Sequence, residues 1–206
     1  MVCHSRAANF VLGLSEAQLN KNHTYPGGCT DNQLRAMEHI GLLNVNWSAE
    51  VPAPKDAIER QQPNQRTAKS TTMLPFHPSG LKRLANPYDK AEPLDQRAKA
   101  WLHTNCATCH VEAGGGNAQF KLDIDTPWDQ MRLIDVKPQH QSFNLPEARL
   151  IAPGSPERSV LIHRIGARGH NSGQMPPISS SLPDTAGVAL MTEWCRSLKK
   201  TEAGKP

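Results

Sequence analysis

One short stretch constrains this chain more than any other: Cys106-Ala107-Thr108-Cys109-His110. Two cysteines separated by two residues and followed at once by histidine form the attachment pattern for haem c. The order has a chemical reason. Two thiols within one turn reach the two vinyl groups of a haem as thioethers, and the adjacent His110 imidazole then lies under the iron as its proximal ligand. Seventeen prolines and fourteen glycines in 206 residues mean much loop, and such a chain needs something besides secondary structure to organise it. A bound cofactor does that. Two other readings compete for the cysteine pair. A zinc site wants two more ligands at comparable spacing, and the chain has no second C-x-x-C or H-x₃₋₅-H to give them. A thiol redox pair belongs in a βαβ context, which the flanks do not show.

The flanks instead read as helices. Leu94, Ala98, Trp101 and Leu102 recur at helical spacing before the motif, with Asp95 placed to start a helix after Pro93. Val188, Met191, Cys195 and Leu198 do the same near the end, with Asp184 as N-cap after Pro183 and Lys199 and Lys200 suited to the helix dipole. One helix leading into the motif and one closing the chain are the packed pair expected of a class I cytochrome c domain. Trp101 and Trp194 are expected to meet where they pack.

An iron held by His110 wants a second axial ligand. Met175 stands in Gln174-Met175-Pro176-Pro177, in a polar, glycine- and serine-rich loop just before the closing helix. Prolines fix that backbone and remove donors that would need partners, so the loop suits a thioether held over iron, and His/Met is the usual pairing. His163 and His170 are the alternatives. Met191, with core neighbours along a helix, reads as packing.

The stretch Ala148-Arg-Leu-Ile-Ala-Pro-Gly-Ser-Pro-Glu-Arg-Ser-Val-Leu-Ile-His-Arg-Ile165, followed by the Met-Pro-Pro loop and the closing helix, resembles the C-terminal half of a family of bacterial dihaem c-type cytochromes. Phe10-Val-Leu-Gly-Leu14, Gln33-Leu-Arg-Ala-Met-Glu-His-Ile-Gly41 and Asn86-Pro-Tyr-Asp89 resemble that family's N-terminal half. The likeness is strongest over 95–198 and weakest from Val51 to Leu81. It implies electron transfer through two covalent haems, in exported proteins sometimes fused or coupled to a dehydrogenase.

In the resembled family a first C-x-x-C-H precedes the Phe-Val-Leu-Gly-Leu stretch, whereas this chain opens Met1-Val2-Cys3-His4 and holds only the last part of one. Three readings stay open: a fragment of a longer chain, a first haem on Cys3 by a single thioether with His4 beneath it, or no N-terminal haem. The fragment reading also accounts for the lack of an export signal, which a covalent haem protein needs. A second haem needs its own distal ligand. His39, in an apparent helix Asn32–Leu43 with Met37, is the candidate, set against a plain surface histidine; His23 and His77 lie in loops. Cys29 and Cys195 form either a disulfide or, for Cys195, a buried free thiol.

The expected architecture is mainly α. Residues 1–90 form a smaller helical haem-type segment, with helices near Glu16–Asn20 and Asn32–Leu43 and a Pro/Gln/Thr-rich connector from about Val51 to Thr72. Residues 91–206 form a class I cytochrome c-like domain with a loop-rich haem pocket. Lys121-Leu-Asp-Ile-Asp125 alternates and reads as a short strand. No apolar run approaches the roughly 18 residues of a membrane span. Twenty-three basic against nineteen acidic residues, with no basic block, speak against nucleic acid as partner. The expected partner is a redox protein or a larger respiratory or dehydrogenase complex, in the periplasm or outside the cell. Electron carriage without substrate turnover is the first functional class. A haem enzyme such as a peroxidase, which needs an open iron position, is the second.

Overall fold

The computed structural model describes residues 4–5, 10, 13, 15–45, 73–74, 78–169, 171–178 and 180–199. Cys3, His77, His170 and the Val51–Thr72 connector lie outside the described residues. The chain divides into two compact units, one of Gly13–Leu84 and one of Ala85–Pro206 joined by Met1–Leu12. The first unit therefore ends before the expected boundary at residue 90. The Leu84 N–H still donates to the Ala17 carbonyl at 3.3 Å. Pro87 already belongs to the second unit, because its carbonyl accepts from the buried Arg97 side chain at 2.9 Å.

In the first unit, α1 (Glu16–Leu19) opens with a capping box in which Ser15 and Gln18 each bond the other's backbone N–H. Strands β1 (Asn22–Thr24) and β2 (Thr30–Asn32) pair antiparallel. Helix α2 (Gln33–His39) is capped by the Asn32 side chain, which accepts from the Leu34 N–H at 2.9 Å. It stops sooner than the expected Leu43 because Gly41 turns left-handed at φ +78°. Strands β3 (Asn44–Val45) and β4 (Met73–Leu74) pair in parallel. Leu34 and Leu81 are buried, with Leu19 and Leu43 packed against them. Buried Asn20 organises the polar side of this small core. Its amide donates to the Pro78 and Leu81 carbonyls, each at 2.9 Å, and its oxygen accepts from Asn32 at 2.8 Å.

In the second unit, α3 (Leu94–Cys106), α4 (Val160–Gly166) and α5 (Thr185–Ser197) enclose a core of Ala98, Trp101, Leu102, Leu122, Met131, Leu133, Ile151, Leu190, Met191 and Trp194. The apolar spacing of α3 and α5 supplies that face. The two helices hold each other through reciprocal bonds. Trp101 of α3 donates from its indole to Asp184, the N-cap of α5, at 2.9 Å, while Trp194 of α5 donates to Asp95 in the first turn of α3 at 2.7 Å. The ring stacked on Trp194 is that of Trp128, with centroids 4.7 Å apart.

Lys121–Asp125 is not a strand. The Leu122 N–H donates to His110, and the Asp123 carboxylate captures the N–H groups of Asp125 and Thr126, which turns the chain away from any ladder. Cys29 and Cys195 are both free thiols, Cys29 exposed and Cys195 fully buried, so they form no disulfide. No helix among the described residues is long and apolar enough to cross a membrane.

Candidate haem site

Cys106 is the last residue of α3, and its carbonyl accepts the N–H groups of both Cys109 at 3.1 Å and His110 at 2.9 Å. One extra turn past the helix thus carries the whole motif, with neither cysteine in a disulfide. Burial, helped by the neighbouring Cys109, pushes the Cys106 thiol up to about 12, so it is held protonated. The chain then doubles back tightly. The Gly116 N–H donates to the Cys109 carbonyl at 2.9 Å, and a Cβ on Gly116 would lie 2.6 Å from His110 Nδ1. Only glycine permits that approach.

His110 is held on several sides. Its carbonyl accepts from the Leu122 N–H at 2.7 Å, and its ring stacks on Phe120 with centroids 4.3 Å apart. Its Nδ1 is buried and makes no hydrogen bond. Burial lowers the imidazole's proton affinity, the Ala118 backbone works the other way without meeting the geometry of a bond to Nδ1, and the Arg164 charge lowers it further. The net effect favours the neutral ring, the form that ligates a metal.

Met175 is half-buried in the loop after α4, and its N–H donates to the Arg164 carbonyl at 3.0 Å. Beside it lies an open depression of about 510 Å³ lined by Arg164, Gly169, Asn171, Gly173, Gln174 and Pro177. Arg164 thus fastens the Met175 segment through that bond. His163, the alternative distal ligand, is exposed, with its ring 4.8 Å from that of Phe143.

No protein-family model, curated protein or solved structure matches this chain. The site is read from its own residues. Two cysteines that form no disulfide, a half-buried imidazole whose buried Nδ1 makes no hydrogen bond and a glycine packed against it form a donor set that fits covalently attached haem. Among the described residues no group of three or more His, Cys, Asp or Glu side chains is placed to hold a metal ion.

Cys3 is outside the described residues. His4 is exposed, and its Nδ1 donates to the Phe10 carbonyl at 2.8 Å. His39 is the exposed last residue of α2, in the other unit. Sequence reasoning passed over Arg164, Phe120 and Gly116. A signal existed for Arg164, a cation following His163 in the otherwise apolar run Val160-Leu-Ile-His-Arg-Ile165.

Proposed function

We propose that this chain carries electrons through haem c bound to Cys106 and Cys109, in a class I cytochrome c-like domain formed by the second unit. The observation that carries the reading is the half-buried His110 imidazole, its Nδ1 buried and without a hydrogen bond, placed directly after two cysteines that form no disulfide at the end of α3. Bound there, the group supplies a one-electron ferric/ferrous couple. The chain's part is to attach it by two thioethers, present neutral His110 as proximal ligand and offer Met175 as the distal one. If His110 and Met175 both held the iron, they would supply electron transfer rather than an open position for substrate, which favours a carrier over a peroxidase. The partner is then a redox protein, or a larger complex in which this chain accepts electrons, in an exported, periplasmic setting.

A second haem at Cys3 and His4 draws support from the His4–Phe10 bond. A carbonyl can only accept, so Nδ1 is the donor in that bond and Nε2 is the ring nitrogen it does not use.

Acid–acetone extraction tests the reading. Haem stays on the wild-type chain and leaves the Cys106→Ala/Cys109→Ala variant; complete extraction from the wild type overturns it. A pyridine haemochrome assay with intact mass counts the groups, and a count of one removes the second. Peroxide is consumed no faster than by a free haem peptide; rapid turnover would favour the enzyme.

A further inference from the structure

Arg164 is half-buried on a helix of seven residues, and no carboxylate pairs with it among the described residues. Its side-chain Nε–H donates to the Gly173 carbonyl at 2.7 Å, while its own carbonyl accepts the Met175 N–H at 3.0 Å. One residue thus holds the segment at two points, two residues apart. The guanidinium carbon lies 5.7 Å from the centroid of the Phe143 ring, and that ring fills the space where a Cβ on Gly173 would stand. Phe143 therefore wedges the loop against Arg164. Arg168, one turn on, donates to the Ile165, Ala167 and Leu182 carbonyls and the Ser180 hydroxyl and does not line the depression. Arg164 is the cation that borders the depression beside the Met175 segment.

A positive charge in a partly desolvated place stabilises whichever state of a nearby centre carries the extra electron, and water screens it only in part. Resting on the haem reading above, we propose that Arg164 is a positioning residue that fixes the Met175 segment and raises the reduction potential of the haem bound at Cys106 and Cys109. The two roles reside in different parts of the same side chain. The planar Nε–H holds the Gly173 carbonyl, and the delocalised charge acts through space.

Three variants of the haem-loaded chain separate these roles: Arg164→Gln, Arg164→Lys and Asn171→Asp. Each is first checked for covalent haem by mass. Two quantities are then read at low ionic strength, the midpoint potential and the long-wavelength charge-transfer band of sulfur-ligated ferric haem. Arg164→Gln lowers the reduced-to-oxidised ratio at fixed reductant about tenfold, which is about 59 mV for one electron. Arg164→Lys keeps most of the potential but weakens the sulfur band, because an ammonium does not reproduce the guanidinium's fixed donor. Asn171→Asp removes none of Arg164's bonds, sets a negative charge in the same depression and lowers the potential by a smaller factor. It decides the matter if Arg164→Gln does not hold haem. An unchanged potential in Arg164→Gln, or in Asn171→Asp where the former does not fold, overturns the electrostatic role. Equal falls in the Gln and Lys variants do so too. An intact sulfur band in Arg164→Lys overturns the positioning role. A wild-type chain without covalent haem would instead end the haem reading itself, a result distinct from all of these.

Discussion

Replacing Asp184 by alanine removes three bonds at once. Its carboxylate accepts from the Tyr88 hydroxyl at 2.6 Å, from the Trp101 indole at 2.9 Å and from the Gly187 N–H at 2.9 Å. The three do not count equally. Loss of the N-cap costs about 1 kcal/mol. The Trp101 indole belongs to a residue only 4% exposed, so its N–H is left without a partner, which costs about 1–3 kcal/mol. Tyr88 is 54% exposed and its hydroxyl can turn to water, so it adds little. The expected total is about 2–4 kcal/mol, a large share of a stability on the order of 5–15 kcal/mol. Urea denaturation should show the midpoint falling by about 1–2 M with an unchanged slope. Asp184→Asn keeps acceptor oxygen at the cap and should cost about half as much. A midpoint shift of a few tenths molar for the alanine variant, or an asparagine variant as damaged as alanine, would refute the hub. The pH dependence gives a second check. Burial raises the Asp184 carboxyl, but the Tyr88, Trp101 and Gly187 bonds, helped by the Ala186 backbone, outweigh it and leave it below the usual value. Its contribution is therefore complete above the ordinary carboxylate pKa and disappears as pH falls through the lower folded value. Tyr88 behaves in the opposite sense. Burial and Asp184 push its phenol from 10.0 up to about 12, so its share is complete below pH 10 and is lost as pH rises toward 12. Tyr88→Phe should flatten that alkaline limb.

In the haem-loaded chain, Met175→His should abolish the sulfur band and lower the potential, because a second imidazole stabilises ferric iron more than a thioether does; spectroelectrochemical titration reads both. Gly116→Ala would press a methyl group against His110 Nδ1, 2.6 Å away, and against the Cys109 carbonyl at 3.0 Å, so covalent haem yield by mass should fall severalfold. Asn20→Leu should leave the Pro78 and Leu81 carbonyls unsatisfied at about 1–3 kcal/mol each, and hydrogen exchange should quicken within residues 13–84 while the Ala85–Pro206 unit is unaffected.

What could be read from the sequence was local. The periodicity of Leu94 to Leu102 and the Asp184 cap announced α3 and α5, because apolar spacing and a capping oxygen act within a few residues. The cysteine pair and His110 were legible for the same reason, being one turn of chain. The Lys121–Asp125 alternation misled because a side chain, Asp123, competes for the backbone N–H groups a strand would need. Trp128 as the partner of Trp194, and Asn20 bonded to carbonyls 58 and 61 residues away, depend on long-range closure that no spacing rule encodes. Arg164 was hidden for a further reason, since its importance comes from bonds to a loop whose path the sequence does not specify.

The closing helix also contains an internal clock. Cys195 is fully buried, and its thiol donates to the Ala152 carbonyl at 3.0 Å, with the Ser159 hydroxyl 3.4 Å away. Burial raises its pKa, so the sulfur stays protonated and unreactive while α5 is seated. Cys29 lies exposed in the other unit. If Cys106 and Cys109 are taken up as thioethers, in a Cys3→Ser chain an alkylating reagent would mark Cys29 at once and Cys195 only when the helix lifts. The lag between the two labels would time the opening of the Ala85–Pro206 unit with no introduced probe.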